Sequence, residues 1–381
     1  MHSYQPLKAD EVKFVLVRLA ERLADCPRGA RDPVFILECL EERLTEIAQD
    51  YLAEEAVLRD PAFGLDGLNR LGVIISSLSL IEYEYLPAVA HQTEEERTLR
   101  LVFLKCAERL GLDWFKDLVV HSSGTLAIFP DFVTLLGIPV IHVQANFLDK
   151  CLTFPGIFHE FGHSVFLRFA DFYDAMKREV EAHFDVMRKA IGPVPEEERQ
   201  KQLARFQVAQ EYWDDNRLAE IFCDLFGQYV AGCANMISMI DLSMAQGQPA
   251  CDESIIGYPP DAARVKVCEY ALTPEQAALE FIKDLLAGWE QYADIEFAGS
   301  FYRDVCHEKL LRRLTTVVLD LLSTLMPNTP RNVSLLPNID AATAPFETLS
   351  FEELTQRGIA ILLLRPDFFD SWWREARNKL V

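Results

Sequence analysis

The feature that most constrains this chain is His159-Glu160-Phe161-Gly162-His163, set in a stretch from Ile157 to Lys189 with no proline and no glycine but Gly162. Such a stretch reads as helix. On a helix two histidines four apart share a face and can hold one metal ion through neutral imidazoles. Glu160 lies between them, placed not to ligate but to take a proton from a water activated at that ion. The flanking Ile157, Phe158, Val165, Phe166 and Leu167 are apolar, and Phe161, Gly162 and Ser164 are uncharged, as suits a helix buried beneath a site.

Such a site needs a third protein ligand, and two Glu-x-x-x-Asp pairs follow: Glu181 with Asp185, and Glu220 with Asp224. If the helix carrying the histidines runs unbroken, Glu181 lies eighteen residues past His163, about 27 Å at 1.5 Å per residue, out of reach of the metal. Its setting, Lys177-Arg178-Glu179-Val180-Glu181, reads as a solvated face. Glu220 comes after a chain break at Gly192-Pro193-Val194-Pro195, which lets a later helix return beside the first. Leu218, Ala219, Ile221, Phe222, Leu225, Phe226, Tyr229 and Val230 enclose it, and two carboxylates in so apolar a segment need partners. A metal ligated by His159, His163 and Glu220, with Asp224 accepting the N–H of a ligand histidine, supplies them; pairing with a basic residue such as Arg217 is the plainer alternative. Cys223 is read as a small buried thiol, with ligation open because it shares a helix face with Glu220.

H-E-x-x-H followed by a distant E-x-x-x-D resembles the gluzincin metallopeptidases. The 57-residue separation of His163 and Glu220 looks most like the HtpX and CAAX-prenyl endopeptidase group. That group carries a later His-Pro-Pro/Ser-x-x-x-Arg element, matched here by Tyr258-Pro259-Pro260-Asp261-Ala262-Ala263-Arg264 with Tyr in place of His. The resemblance spans roughly residues 150 to 265. It implies a zinc-dependent peptidase, expected to act as an endopeptidase, with Glu160 as base and Tyr258 and Arg264 helping to bind substrate or stabilise the oxyanion. Read without the resemblance, Tyr258-Pro259-Pro260 is a turn before a helix starting near Asp261.

Membrane-embedded members of that group have long spanning helices, whereas Gly72–Ile81 and Leu314–Met326 are too short to span, so the likeness is to a soluble relative. Half the residues are hydrophobic and a quarter charged, enough for a large core. The net charge, 37 − 59 = −22, repels phosphate backbones and anionic lipids; the expected partner is a peptide or protein substrate, with no nucleic acid and no membrane insertion. Nine cysteines without regular spacing, and an N-terminus lacking a basic start and apolar core, point to a cytoplasmic protein.

Along the chain, amphipathic runs at Glu11–Ala24, Pro33–Glu55 and Glu94–Leu110 read as helices. Leu118–His121, Thr125–Phe129 and Ile138–Val143 read as short strands. The resemblance places such a sheet over the metal helix, its edge taking extended peptide; His121 and His142 are read as packed or surface residues rather than substrate contacts. Helices return at Pro274–Ala287 and Ser300–Met326, then a loop at Pro327–Pro345 and terminal helices at Phe351–Gly358 and Pro366–Leu380, with Trp372 and Trp373 docking the last. The expected fold is mainly α with a small β-sheet (α+β). A zincin-like catalytic region at 119–298 lies between a helical region at 1–118 and helices at 299–381. The expected function is zinc-dependent peptide hydrolysis. The alternatives are a catalytically silent zinc-binding regulator or peptide-binding protein on the same scaffold, and a zinc amide hydrolase acting on a non-peptide substrate.

Overall fold

The computed structural model describes residues 4–26, 34–87, 93–122, 127–129, 140–143, 151–247, 249–255, 257–295, 298–327 and 372–376. These are mainly helical with one small sheet, as the sequence pattern leads one to expect. No described helix is long and apolar enough to cross a membrane. The expected loop at 328–345, the helix at Phe351–Gly358 and most of that at Pro366–Leu380 lie outside the described residues.

The chain groups into two compact units, 1–108 with 112–145, and 109–111 with 146–381. The first holds α1 (Tyr4–Ala24), α2 (Val34–Arg59), α3 (Gly64–Leu80), α4 (Glu94–Arg109) and the sheet of β1 (Val119–Ser122), β2 (Ala127–Phe129) and β3 (Val140–Val143). Leucines at heptad-like spacing on α1 (Leu16, Leu19, Leu23) and α2 (Leu37, Leu40, Leu44) close a core that also takes in Leu71 and Leu78 of α3. The sheet order is β1-β3-β2, with β1 parallel and β2 antiparallel to β3. Val119 and Val140, partners in the β1–β3 register, are fully buried and belong to that helical core. The strands therefore group with the N-terminal helices, not with the histidine helix; local alternation says that a strand forms, but not which core it joins.

Glu96 ties helix to sheet. Its Oε2 accepts from Thr93 N at 2.6 Å while Thr93 Oγ1 accepts from Glu96 N, a capping box, and its Oε1 accepts from Ser122 N at 2.6 Å. Arg100 Nε donates to the Leu118 carbonyl at 2.6 Å, so side chains of α4 engage both ends of β1. His121 and His142 face each other in register with rings 5.4 Å apart, and His121 Nδ1 lies 3.3 Å from Glu96: packed histidines, as read.

The second unit holds α5 (Gly156–Arg168), α6 (Ala170–Lys189), α7 (Glu196–Glu211), α8 (Asp215–Ala231), α9 (Cys233–Gln246), α10 (Asp261–Tyr270), α11 (Pro274–Ala277), α12 (Glu280–Ala293), α13 (Ser300–Val305) and α14 (Glu308–Leu325). The expected single helix from 157 to 189 is two. Phe169 is extended (φ −120°, ψ 92°) and separates α5 from α6 although no glycine or proline marks the place. The cause is tertiary. Phe166 and Phe172, six residues apart, would point about 120° apart on one continuous helix, yet both rings pack on Phe222, at 5.3 and 4.5 Å between centroids.

The Gly192–Pro195 break does turn the chain, and α8 starts after a cap in which Asp214 accepts from Arg217 N at 2.9 Å. Nearly all of α8 is buried, because α5, α6, α9, α10 and α14 all pack on it. The expected run at Ser300–Met326 is also divided, His307 capping α14 by accepting from Lys309 N. Trp373 meets Phe154 edge to face at 5.1 Å, and both Trp372 and Trp373 are buried, consistent with docking.

Candidate metal centre

The contact between α5 and α8 sets the site. Gly162 faces Cys223 so closely that a Cβ on it would lie 2.8 Å from Cys223 Cα, and this near approach of backbones brings the side chains on either side of it together. His159 and His163, one turn apart on α5, hold their rings 5.0 Å apart. Across from them on α8, Glu220 presents one oxygen to each: Oε2 lies 3.4 Å from His159 Nε2, Oε1 3.5 Å from His163 Nε2. In a tetrahedral site with ligand bonds of about 2.0–2.2 Å, neighbouring ligand atoms sit about 3.3–3.5 Å apart. Each histidine meets one oxygen of the Glu220 carboxylate at about that spacing, the two histidines meeting different oxygens. Glu220 Oε2 is buried and makes no hydrogen bond among the described residues, its charge being met by His159 and by Arg264.

Asp224, fully buried one turn along α8, accepts from His159 Nδ1 at 2.9 Å, which aims Nε2 of the same ring at Glu220. Arg264 on α10 meets Asp224 with two hydrogen bonds of 2.8 Å, from Nε and Nη2, and its Nη2 is 3.2 Å from Glu220 Oε2. Arg217 is committed elsewhere: to Asp214, to the Tyr212 and Ile255 carbonyls, and over the Tyr212 ring at 4.1 Å. Glu181 is exposed on α6, past the Phe169 break, while Glu220 stands at the histidines.

The charges follow from these contacts. Burial alone would raise Asp224, but the Arg264 guanidinium outweighs it and, with His159, holds the carboxyl down at about 2. Glu220 is likewise lowered against its burial by His159 and Arg264. Burial works to discharge His159, and the Asp224 and Glu220 carboxylates overturn it, lifting the imidazole to about 10: without an ion the pocket draws a proton instead. His163, buried beside a charged neighbour, falls to about 4 and so is neutral at physiological pH, the form that ligates. Two carboxylates against one guanidinium leave a pocket suited to a cation.

Glu160 and Tyr258 complete the surroundings. Glu160 is partly exposed next to His159 on α5. Tyr258 is 48% exposed, and its phenol is pushed up first by the Glu220 charge, then by its own burial and by Glu160, which places it within the field of both carboxylates. A ring nitrogen of His159, one of His163 and Cys223 Sγ all lie within 4.8 Å of one another. The Cys223 thiol is pushed far up by burial and by the Glu220, Asp224 and Glu160 charges.

Two residues that the sequence reading did not single out also belong here. Asn235 Nδ2 on α9 donates to the Asp224 carbonyl at 3.1 Å, and Cys268 Sγ on α10 approaches the same oxygen at 3.7 Å. A lone amide in the apolar run Cys233-Ala234-Asn235-Met236-Ile237 is the one sequence signal for the first; Cys268 had none. Compared with protein-family models, curated proteins and solved structures, the chain matches none of them.

Proposed function

We propose that this chain is a zinc-dependent metallopeptidase of the gluzincin kind, with a zincin-like core, acting on peptide or protein substrates. The observation that carries the reading is the Glu220 carboxylate set 3.4 and 3.5 Å from the Nε2 atoms of His159 and His163, with Asp224 on the far nitrogen of His159. His159, His163 and Glu220 would hold the ion. Zinc bound there supplies Lewis acidity toward the scissile carbonyl and acidifies the attacking water. Glu160 takes that water's proton and delivers it to the leaving amine. The raised phenol of Tyr258 stays protonated at neutral pH and donates a hydrogen bond to the developing oxyanion.

Cleavage profiling on an unbiased peptide mixture, with zinc content measured in parallel, tests this. Wild type cleaves, and Glu160→Gln keeps its zinc while turnover falls about 10²–10⁴-fold, the usual worth of a general base. Zinc-loaded Glu160→Gln that cleaves like wild type removes Glu160 from the mechanism, and wild type that holds zinc but cuts no peptide removes the peptidase reading. One observation favours a second reading, a silent zinc-binding regulator: with Cys223 as a fourth protein ligand the site would be closed to water. Cys223→Ala separates the two, since a closed site loses zinc affinity with that thiol and an open one does not.

A further inference from the structure

Arg264 stands where the family resemblance puts an oxyanion or substrate contact, but its guanidinium is engaged by the carboxylates of α8. Both of its shortest bonds, 2.8 Å each, go to Asp224, and its next approach, 3.2 Å, is to Glu220. The side chain is 17% exposed, against 48% for the whole of Tyr258. A guanidinium that meets a fully buried carboxylate in a two-pronged bond is held in one orientation and has little left to offer a substrate.

We infer that Arg264 is a positioning residue, acting through Asp224 on His159 and not on the reacting carbonyl. Asp224 is the joint through which it works. Its Oδ1 takes bonds from both His159 Nδ1 and Arg264, its Oδ2 from Arg264, and its backbone carbonyl from Asn235. One residue of α8 is thus fastened to α5, α9 and α10. Arg264 fixes the carboxylate's plane and keeps it an acceptor, and the carboxylate fixes the tautomer and swing of the His159 ring. This inference rests on the metal-site reading above.

The test is a double-mutant cycle read as Zn²⁺ affinity by competition with a chromophoric chelator, alongside circular dichroism of each variant. Arg264→Met should weaken zinc binding about 10–100-fold, the usual loss on removing an outer hydrogen-bond partner of a ligand histidine. Arg264→Lys, which keeps the charge but not the two-pronged geometry, should fall between. Asp224→Asn should weaken binding as well, and Arg264→Met in the Asp224→Asn background should add little, because the two act in series. If Arg264→Met does not fold, the Lys variant and the Asn background carry the test, the latter removing the Asp224 charge together with its partner's.

Wild-type zinc affinity in Arg264→Met or Arg264→Lys, with kcat lost, overturns the inference and returns Arg264 to the oxyanion. Losses that multiply in the double variant overturn it too. Wild type that binds no zinc instead refutes the metal-site reading beneath it, so the two failures are told apart.

Discussion

At the scale of single residues, the site is a question of which carboxylate meets which nitrogen. Glu220→Ala should strip zinc from the protein, whereas Glu181→Ala, on an exposed face of α6, should leave it loaded; metal analysis after dialysis decides, and the reverse result would undo the ligand assignment. The proposed ligands stand out in the sequence because the pattern is rare: two histidines at helical spacing, and a carboxylate pair in an otherwise apolar helix that calls for partners. The partners of Asp224 were less so. Arg264 was visible as a motif residue but not as a clamp, because hydrogen-bond direction is a property of how α10 lies on α8 and leaves no local trace.

Between elements, the closest approach is Gly162 against Cys223. Gly162→Ala puts a methyl 2.8 Å from a backbone atom, and that atom retreats only if α5 and α8 separate. A destabilisation of about 1–3 kcal/mol follows, as for overpacking elsewhere, and because the proposed ligands are divided between these two helices, any zinc affinity should fall with it; chemical denaturation and chelator competition measure the two. The helices themselves were readable from periodicity, but the break at Phe169 was not. Nothing in Leu167-Arg168-Phe169-Ala170 disfavours helix; the chain bends there because Phe222, more than fifty residues on, accepts two rings that one straight helix would aim apart. The ligand choice stands on a different ground from the unbroken helix that first suggested it. Glu181 is excluded by the face it occupies rather than by distance along one axis.

Over the whole molecule, the strands show the same limit, since their pattern was legible and their allegiance to the N-terminal core was not. Each unit also buries a histidine kept from its proton. His142 in the first unit is held at about 4 by burial and by His121. His183 in the second is held at about 4 by burial and by the neighbouring His307, Arg313 and Lys309, and its Nε2 makes no hydrogen bond among the described residues. Both bind protons more weakly folded than unfolded, where the ordinary value is 6.5. Stability is therefore fully present above about pH 6.5 and declines as the pH drops toward 4, by on the order of 2–3 kcal/mol for each at 1.36 kcal/mol per pKa unit. Urea titrations across that range should show the decline, and His183→Leu should flatten its share.

The fastening of Asp224 to three neighbouring helices bears on how the protein is made and mended. Its bonds to His159, Arg264 and Asn235 are all made between protein groups, so the chain itself ties three helices together at this residue. Where a zinc finger collapses when its metal is drawn off, this protein should keep its helical circular dichroism in excess chelator. It should lose only the stability that binding adds, about 4 kcal/mol at a thousandfold excess over Kd, and recover fully on adding zinc back without passing through denaturant. On the zinc reading, a newly made copy would be a finished vessel, filled or emptied according to how much zinc its surroundings can spare.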